Sequence, residues 1–166
     1  MKIIKFANLL AEAARRKGFR AKAWSIVQGM GYSQDAPYNI LYRFEQLGIL
    51  RICNSNIILT EDGEKFLEKV FYLAKIVKNN TVGYENDTGR VIGNILYALA
   101  DWSHKMRSSN DLLRYADELI RKIKELEKID VELYKHYIFL LPRYHYEAFE
   151  DPLTLLEILV SSKRKS

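Results

Sequence analysis

The sequence predicts a mainly α-helical fold that carries one small β-hairpin, and three observations predict it. Three prolines and eight glycines in 166 residues are few, and both residue types punctuate helices. Apolar residues recur at helical spacing through most of the chain. One stretch, ILRICNSNIILT (49–60), breaks that rhythm: two short apolar runs flank a polar Asn54-Ser55-Asn56 turn, which reads as a hairpin. A hydrophobic content of 48% supplies a core and a charged content of 28% a solvated surface, which excludes a disordered chain. The length suits one compact domain or two small ones.

The elements follow in order. KIIKFANLLAEAARRKG has apolar residues at 3, 4, 6, 7, 9, 10, 13 and 14, giving a first helix with one broad buried face that stops at Gly18. AKAWSIVQGMG supplies a second, shorter helix with Trp24, Ile26 and Val27 as core candidates, broken by Gly29 and Gly31. Ser33 or Asp35 can cap a third helix, and Pro37 fits its first turn. Apolar residues at 40, 41, 44 and 47 mark its inner face, and Gly48 its left-handed end. After the hairpin, Thr60 caps a fourth helix whose first turn holds Glu61 and Asp62, where acids suit the helix dipole. Its core positions are Phe66, Leu67, Val70, Phe71, Leu73, Ala74 and Val77. NNTVGYENDTG (79–89) is polar and turn-forming, a natural boundary. RVIGNILYALADWSHKM forms another helix, with Val91, Ile92, Ile95, Leu96 and Leu99 inside. Ser108 or Ser109 caps the next, NDLLRYADELIRKIKELEKI. A helix over about 130–141 ends at Pro142, DPLTLLEILV closes the chain as a helix, and the basic tail SSKRKS reads as a frayed, solubilising end.

The order helix, helix, helix, hairpin, helix over residues 3–77 resembles the winged helix-turn-helix family. FEQLGIL (Phe44–Leu50) looks like the family's recognition-helix end and its turn into the wing. The short hairpin and LTEDGEKFLEKV (Leu59–Val70) are similar to the wing and the strand-to-helix exit after it. The expected organisation is a winged-helix domain at 1–80 and a C-terminal helical extension at 88–161. In such a domain the third helix lies in the major groove of double-stranded DNA.

Charge points the same way. Residues 1–60 hold nine Lys/Arg and three acids, residues 61–108 seven of each, and residues 109–166 ten basic and eleven acidic. The excess of the +5 net charge therefore lies in the first third, which suits an anionic partner. With its apolar side facing the core, the helix over 36–47 turns Tyr38, Asn39, Tyr42, Arg43 and Gln46 outward, with Ser33, Gln34 and Asp35 at its entry. Asn and Gln can pair with adenine and Arg with guanine, so Ser33, Gln34, Tyr38, Asn39, Tyr42 and Arg43 are the expected base readers. Arg15, Arg16, Lys17, Arg20, Lys22 and Arg51 are the expected phosphate contacts. The hairpin tip CNSN carries no cation, and Asp35 repels phosphate. Winged domains also serve as protein-interaction modules, so the alternative is an adaptor in a replication, transcription or mobile-element assembly.

The apolar positions Leu112, Ala116, Leu119, Ile123 and Leu126 alternate by four and three, a short heptad stripe. It can pair with a second copy to form a homodimer, setting two reading helices about one helical turn apart, or pack inside its own chain. The aromatic segment ELYKHYIFLLPRYHYEAFEDP can line a ligand pocket or build core and interface. His136 and His145 have no metal spacing and no third ligand. The chain lacks a phosphate-cradling glycine loop, HExxH and G-x-S-x-G, and its paired carboxylates sit at helix starts, so neither an enzyme nor a cofactor is expected. One cysteine, Cys53, forms no internal disulfide and fits a reducing cytoplasm. No run reaches the roughly 20 apolar residues of a membrane helix. The functional expectation is a dimeric, sequence-specific regulator of transcription.

Overall fold

A computed structural model describes residues 2–30, 36–54, 56–80, 88–143 and 151–164, with side chains from residue 5 onward in the first segment and from residue 40 onward in the second. The elements run α1 (Lys2–Arg16), α2 (Ala23–Gly29), α3 (Ala36–Gln46), β1 (Leu50–Cys53), β2 (Asn56–Leu59), α4 (Glu61–Asn80), α5 (Thr88–Asp101), a 3-10 turn (Trp102–Lys105), α6 (Ser109–Ile129), α7 (Val131–Leu140), a short 3-10 turn (Leu141–Arg143) and α8 (Pro152–Arg164). The protein is mainly helical with one two-stranded antiparallel sheet. The strands pair Leu50 with Leu59 and Cys53 with Asn56.

Local chemistry explains the ends. Gly48 takes φ +81°, so the Ile49 amide reaches back to the Phe44 carbonyl at 2.9 Å. That six-to-one bond closes α3 and aims the chain into β1. The Thr60 hydroxyl accepts the Gly63 amide at 3.0 Å and lies 2.6 Å from the Gly48 carbonyl. One side chain thus caps α4 and ties its start to the end of α3. Ser108 caps α6 by accepting the Asp111 amide, and Asp130 caps α7 through the Leu133 amide at 3.1 Å. Asp151 caps α8, accepting from the Leu153 and Thr154 amides at 3.0 Å and from the Tyr115 hydroxyl at 2.7 Å. Burial raises its carboxyl pKa, but hydrogen bonds from Thr154, Tyr115 and Leu153 outweigh this and hold it below the usual value.

The expected boundary near residue 80 is not a packing boundary. The tightest helix pair joins α2 to α5, across it. A Cβ on Gly93 would stand 2.5 Å from the Ile26 carbonyl oxygen and 3.0 Å from the Gly29 Cα. Only glycine lets the two backbones approach so closely. One core of buried residues runs from Phe6 in α1 through Val91 and Ile95 in α5 to Val160 in α8. The segment after residue 88 is part of the same core, not an appended layer.

The heptad stripe corrects a second expectation. Leu112, Ala116, Leu119, Ile123 and Leu126 are each 1% exposed or less, because α6 lies between α4, α7 and α8 of its own chain. It cannot also be a dimer seam. The first four residues of the predicted basic tail, 161–164, are helical and not frayed, and Lys165 and Ser166 lie outside the described residues. Helix α8 continues to Arg164, where Lys163 pairs with Asp130 at 3.0 Å and Arg164 with Glu125. In the aromatic segment, Tyr134 and Tyr137 are core. The Tyr137 hydroxyl donates to the Pro152 carbonyl at 2.7 Å. Burial, with Glu127 alongside, pushes the Tyr134 hydroxyl up to about 12, so it stays protonated. His136 and Phe139 face outward; Tyr144, His145, Tyr146 and Phe149 lie outside the described residues.

Candidate nucleic-acid interface

Helix α3 buries Ile40, Leu41, Phe44 and Leu47, the inner face its periodicity requires. Phe44 meets the Phe66 ring of α4 edge-on at 5.6 Å, which fixes how the helix is rolled. The opposite flank exposes Tyr42, half accessible, and Gln46. Of the other expected base readers, Ser33 and Gln34 lie outside the described residues, as does Asp35, and Tyr38 and Asn39 are placed only by their backbone in α3.

Arg43 is a correction. Its guanidinium turns inward: Nε donates to the Ser103 hydroxyl at 2.9 Å, and the terminal nitrogen donates to the Ser103 carbonyl and, at 3.0 Å, to the Met106 carbonyl. Ser103 is fully buried and itself donates to the Ala100 carbonyl at 2.7 Å. A base-reading Arg43 would have to abandon these partners and take the donor from the Met106 carbonyl, while the Ser103 carbonyl keeps the Met106 amide at 2.9 Å, a cost of about 1–3 kcal/mol. It anchors α3 to the connection between α5 and α6 and does not face a groove.

That anchor brings in residues the sequence reading missed. His104, Lys105 and Arg107 are exposed on the same connection, so they stand beside the last turn of α3. The Ser109 hydroxyl donates to the Asp62 carboxylate at 2.6 Å, locking the start of α6 to the start of α4. No local signal could have placed Lys105 and Arg107 there, because Ser103 lies 60 residues from Arg43.

The expected phosphate contacts divide into two groups. Arg15 and Arg16 share Glu12, and Lys17 meets Glu68 at 2.5 Å. The Lys17 ammonium, bonded to Glu68, holds that carboxyl below its usual value. These three cations are exposed and partly neutralised; such surface pairs are weak and can be exchanged for an outside anion. Arg20, Lys22 and Arg51 are exposed and make no ion pair among the described residues. Arg51 stands on the outer face of the hairpin opposite Ile58, which is also exposed. At the hairpin tip, Lys5 reaches the Asn56 side-chain oxygen at 3.5 Å, so a cation from α1 lies at a turn that has none of its own. The edge of β1 is covered: the Ile52 amide donates to the Glu45 carboxylate at 2.8 Å.

Among the described residues, no group of His, Cys, Asp and Glu could hold a metal ion, and no helix is long and apolar enough to cross a membrane. Cys53 is a free, exposed thiol. No protein-family model matches the chain, and neither does any curated protein or solved structure.

Proposed function

We propose that the chain is a winged helix-turn-helix protein that binds double-stranded DNA sequence-specifically and regulates transcription. The observation that carries this reading is the open flank of α3, with Tyr42 and Gln46 accessible, in a lobe whose Arg20, Lys22 and Arg51 make no ion pair among the described residues. In this reading α3 enters the major groove. Tyr38, Asn39, Tyr42 and Gln46 face base edges, with Ser33 and Gln34 at the entry. Arg20, Lys22 and Arg51 hold phosphates, and Lys105 and Arg107 add contacts at the far end of α3. Arg15, Arg16 and Lys17 join them by exchanging Glu12 and Glu68 for phosphate oxygens. The homodimer of this reading cannot use the covered stripe on α6. Accessible apolar side chains on α7, Val131 and Phe139, each about half exposed, are open to it instead.

A second reading, a protein-binding adaptor, draws on one observation: an open groove between α1, β2 and α4. Leu9, Ala13, Ile57 and Phe71 line it together with the charged Arg16, Lys17, Glu64 and Glu68, and Ile58 stands exposed at its edge. A groove that mixes apolar side chains with charges of both signs suits a protein partner better than a phosphate backbone.

Selection of bound duplexes from a random pool separates the two. The DNA reading expects a consensus sequence, and an affinity whose logarithm falls with log salt by about 0.9 per phosphate neutralised. A Tyr42→Ala, Gln46→Ala double variant should change the consensus. Weak binding with a shallow slope and no consensus overturns the DNA reading in favour of the adaptor.

A further inference from the structure

Among the described residues the most exposed large apolar side chain is Trp24, at 66%. The sequence reading made it a core candidate, and the structure overturns that. Helix α2 has seven residues and buries Ile26 and Gly29, with Met30 buried just after its end. Trp24 lies two residues before Ile26, about 200° away around the helix, and points out. Tryptophan is normally among the better-covered side chains, so an outward one that stabilises no core calls for a partner.

Its surroundings restrict the partner. From Ala13 to Gln34 the sequence has five cations and no acid. Two acids that share the surface with these cations are already engaged: Glu12 by Arg15 and Arg16, and Glu68 by Lys17. Arg20 and Lys22, four and two residues before Trp24, are exposed without an ion pair among the described residues. A flat apolar ring that closely follows, in sequence, two cations without an ion pair among the described residues fits a ligand with a flat apolar face beside anionic groups. A nucleic-acid strand has that alternation, base and phosphate. Inside a duplex both faces of each base are covered by stacking, so the ring can only take a base that is unpaired. An anionic membrane surface also attracts cations and tryptophan. It requires a wide apolar helix face, though, and α2 has seven residues, with Gln28 exposed one turn after Trp24 and Val27 partly buried against the core.

We infer that Trp24 is a stacking site for an unpaired nucleobase at an overhang, frayed end or bulge, with Arg20 and Lys22 holding the adjoining phosphates. This rests on the DNA-binding reading and extends it: the protein prefers duplex sites bordered by single strand.

The test compares a blunt duplex with the same duplex carrying a short single-stranded thymidine overhang, at fixed salt. The full chain should bind the overhang form on the order of 10-fold more tightly, and the overhang alone should quench tryptophan fluorescence. Trp24→Ala should bring the ratio of the two affinities to one. Trp24→Phe should keep part of the ratio and lose the quenching, which assigns the signal to Trp24 and not to Trp102. Because Trp24 is exposed, both variants should melt like the parent, and Trp24→Phe keeps the test open if Trp24→Ala does not. Equal affinities in the parent, or a preference that survives Trp24→Ala, overturn the stacking site while DNA binding stands. Failure to bind either duplex overturns the functional reading and the stacking site with it. A blue shift of Trp24 on vesicles of phosphatidylcholine and phosphatidylserine, with none on the overhang, assigns the surface to a membrane instead.

Discussion

Helices α3 and α6 are both amphipathic, and both carry the spacing of an interaction helix. Their fates differ. The apolar stripe of α6 is wholly covered by α4, α7 and α8 of the same chain. The polar flank of α3 is divided: Arg43 is consumed inside the molecule, while Tyr42 and Gln46 stay open. Periodicity reports that a face is buried or solvated. It does not report which neighbour covers the face, and it cannot show a long polar side chain recruited by a segment far away in sequence.

The comparison breaks first at α6. Leu119 is fully buried at the middle of the stripe. Leu119→Ala should therefore cost about 3 kcal/mol of folding stability, the transfer free energy of the side chain plus the cavity left behind. Urea denaturation should show the lower midpoint, and sedimentation at fixed concentration should show an unchanged association state. A dimer that dissociates with little loss of protomer stability would mean the stripe pairs between copies after all.

The α3 side is sharpened by Arg43. Arg43→Ala takes the donor from the Met106 carbonyl and one of two from the Ser103 carbonyl, which keeps the Met106 amide, and should destabilise by about 1–3 kcal/mol. Arg43→Lys should recover little of this, because a single ammonium cannot reproduce a planar fork that serves one hydroxyl and two carbonyls. The selected DNA consensus should be nearly unaffected by Arg43→Lys. A changed consensus at unchanged stability would put Arg43 back among the base readers.

What was legible in the sequence was local. Gly48 and Thr60 each punctuate a helix through atoms within five residues, as the sequence predicts, and of the two caps it offers for α6 the structure uses Ser108. The inner faces of α3, α4 and α5 followed from repeats that one helix carries by itself. The hairpin was readable because a polar turn between two apolar runs is also local. What was not legible depends on partners distant in sequence. The basic tail looked free until Glu125 and Asp130 were brought to Lys163 and Arg164 by the packing of α8 on α6. The polar stretch before α5 looked like a domain boundary, yet Gly93 in α5 and Gly29 in α2 form a backbone contact across it. Trp24 was assigned to the core by residue type alone. In a seven-residue helix, position around the axis decides burial, and the side packed on its neighbours is taken by Ile26 and Gly29.

The smallest effect on folding, and the one most diagnostic of function, comes from the cations before α2. Arg20 and Lys22 are exposed and anchor nothing among the described residues, so Arg20→Gln with Lys22→Gln should change stability by no more than about 0.5 kcal/mol. The same pair should lower duplex affinity for every sequence alike, since phosphates carry no base identity. The slope of log affinity against log salt should become shallower by about 2 units if both residues neutralise a phosphate. The contrast with Leu119→Ala is the point: one change unfolds without altering what is bound, the other weakens binding without unfolding. An unchanged slope would move the anion-binding surface away from the α1–α2 connection, toward Arg51 and the Lys105–Arg107 strip beside the end of α3.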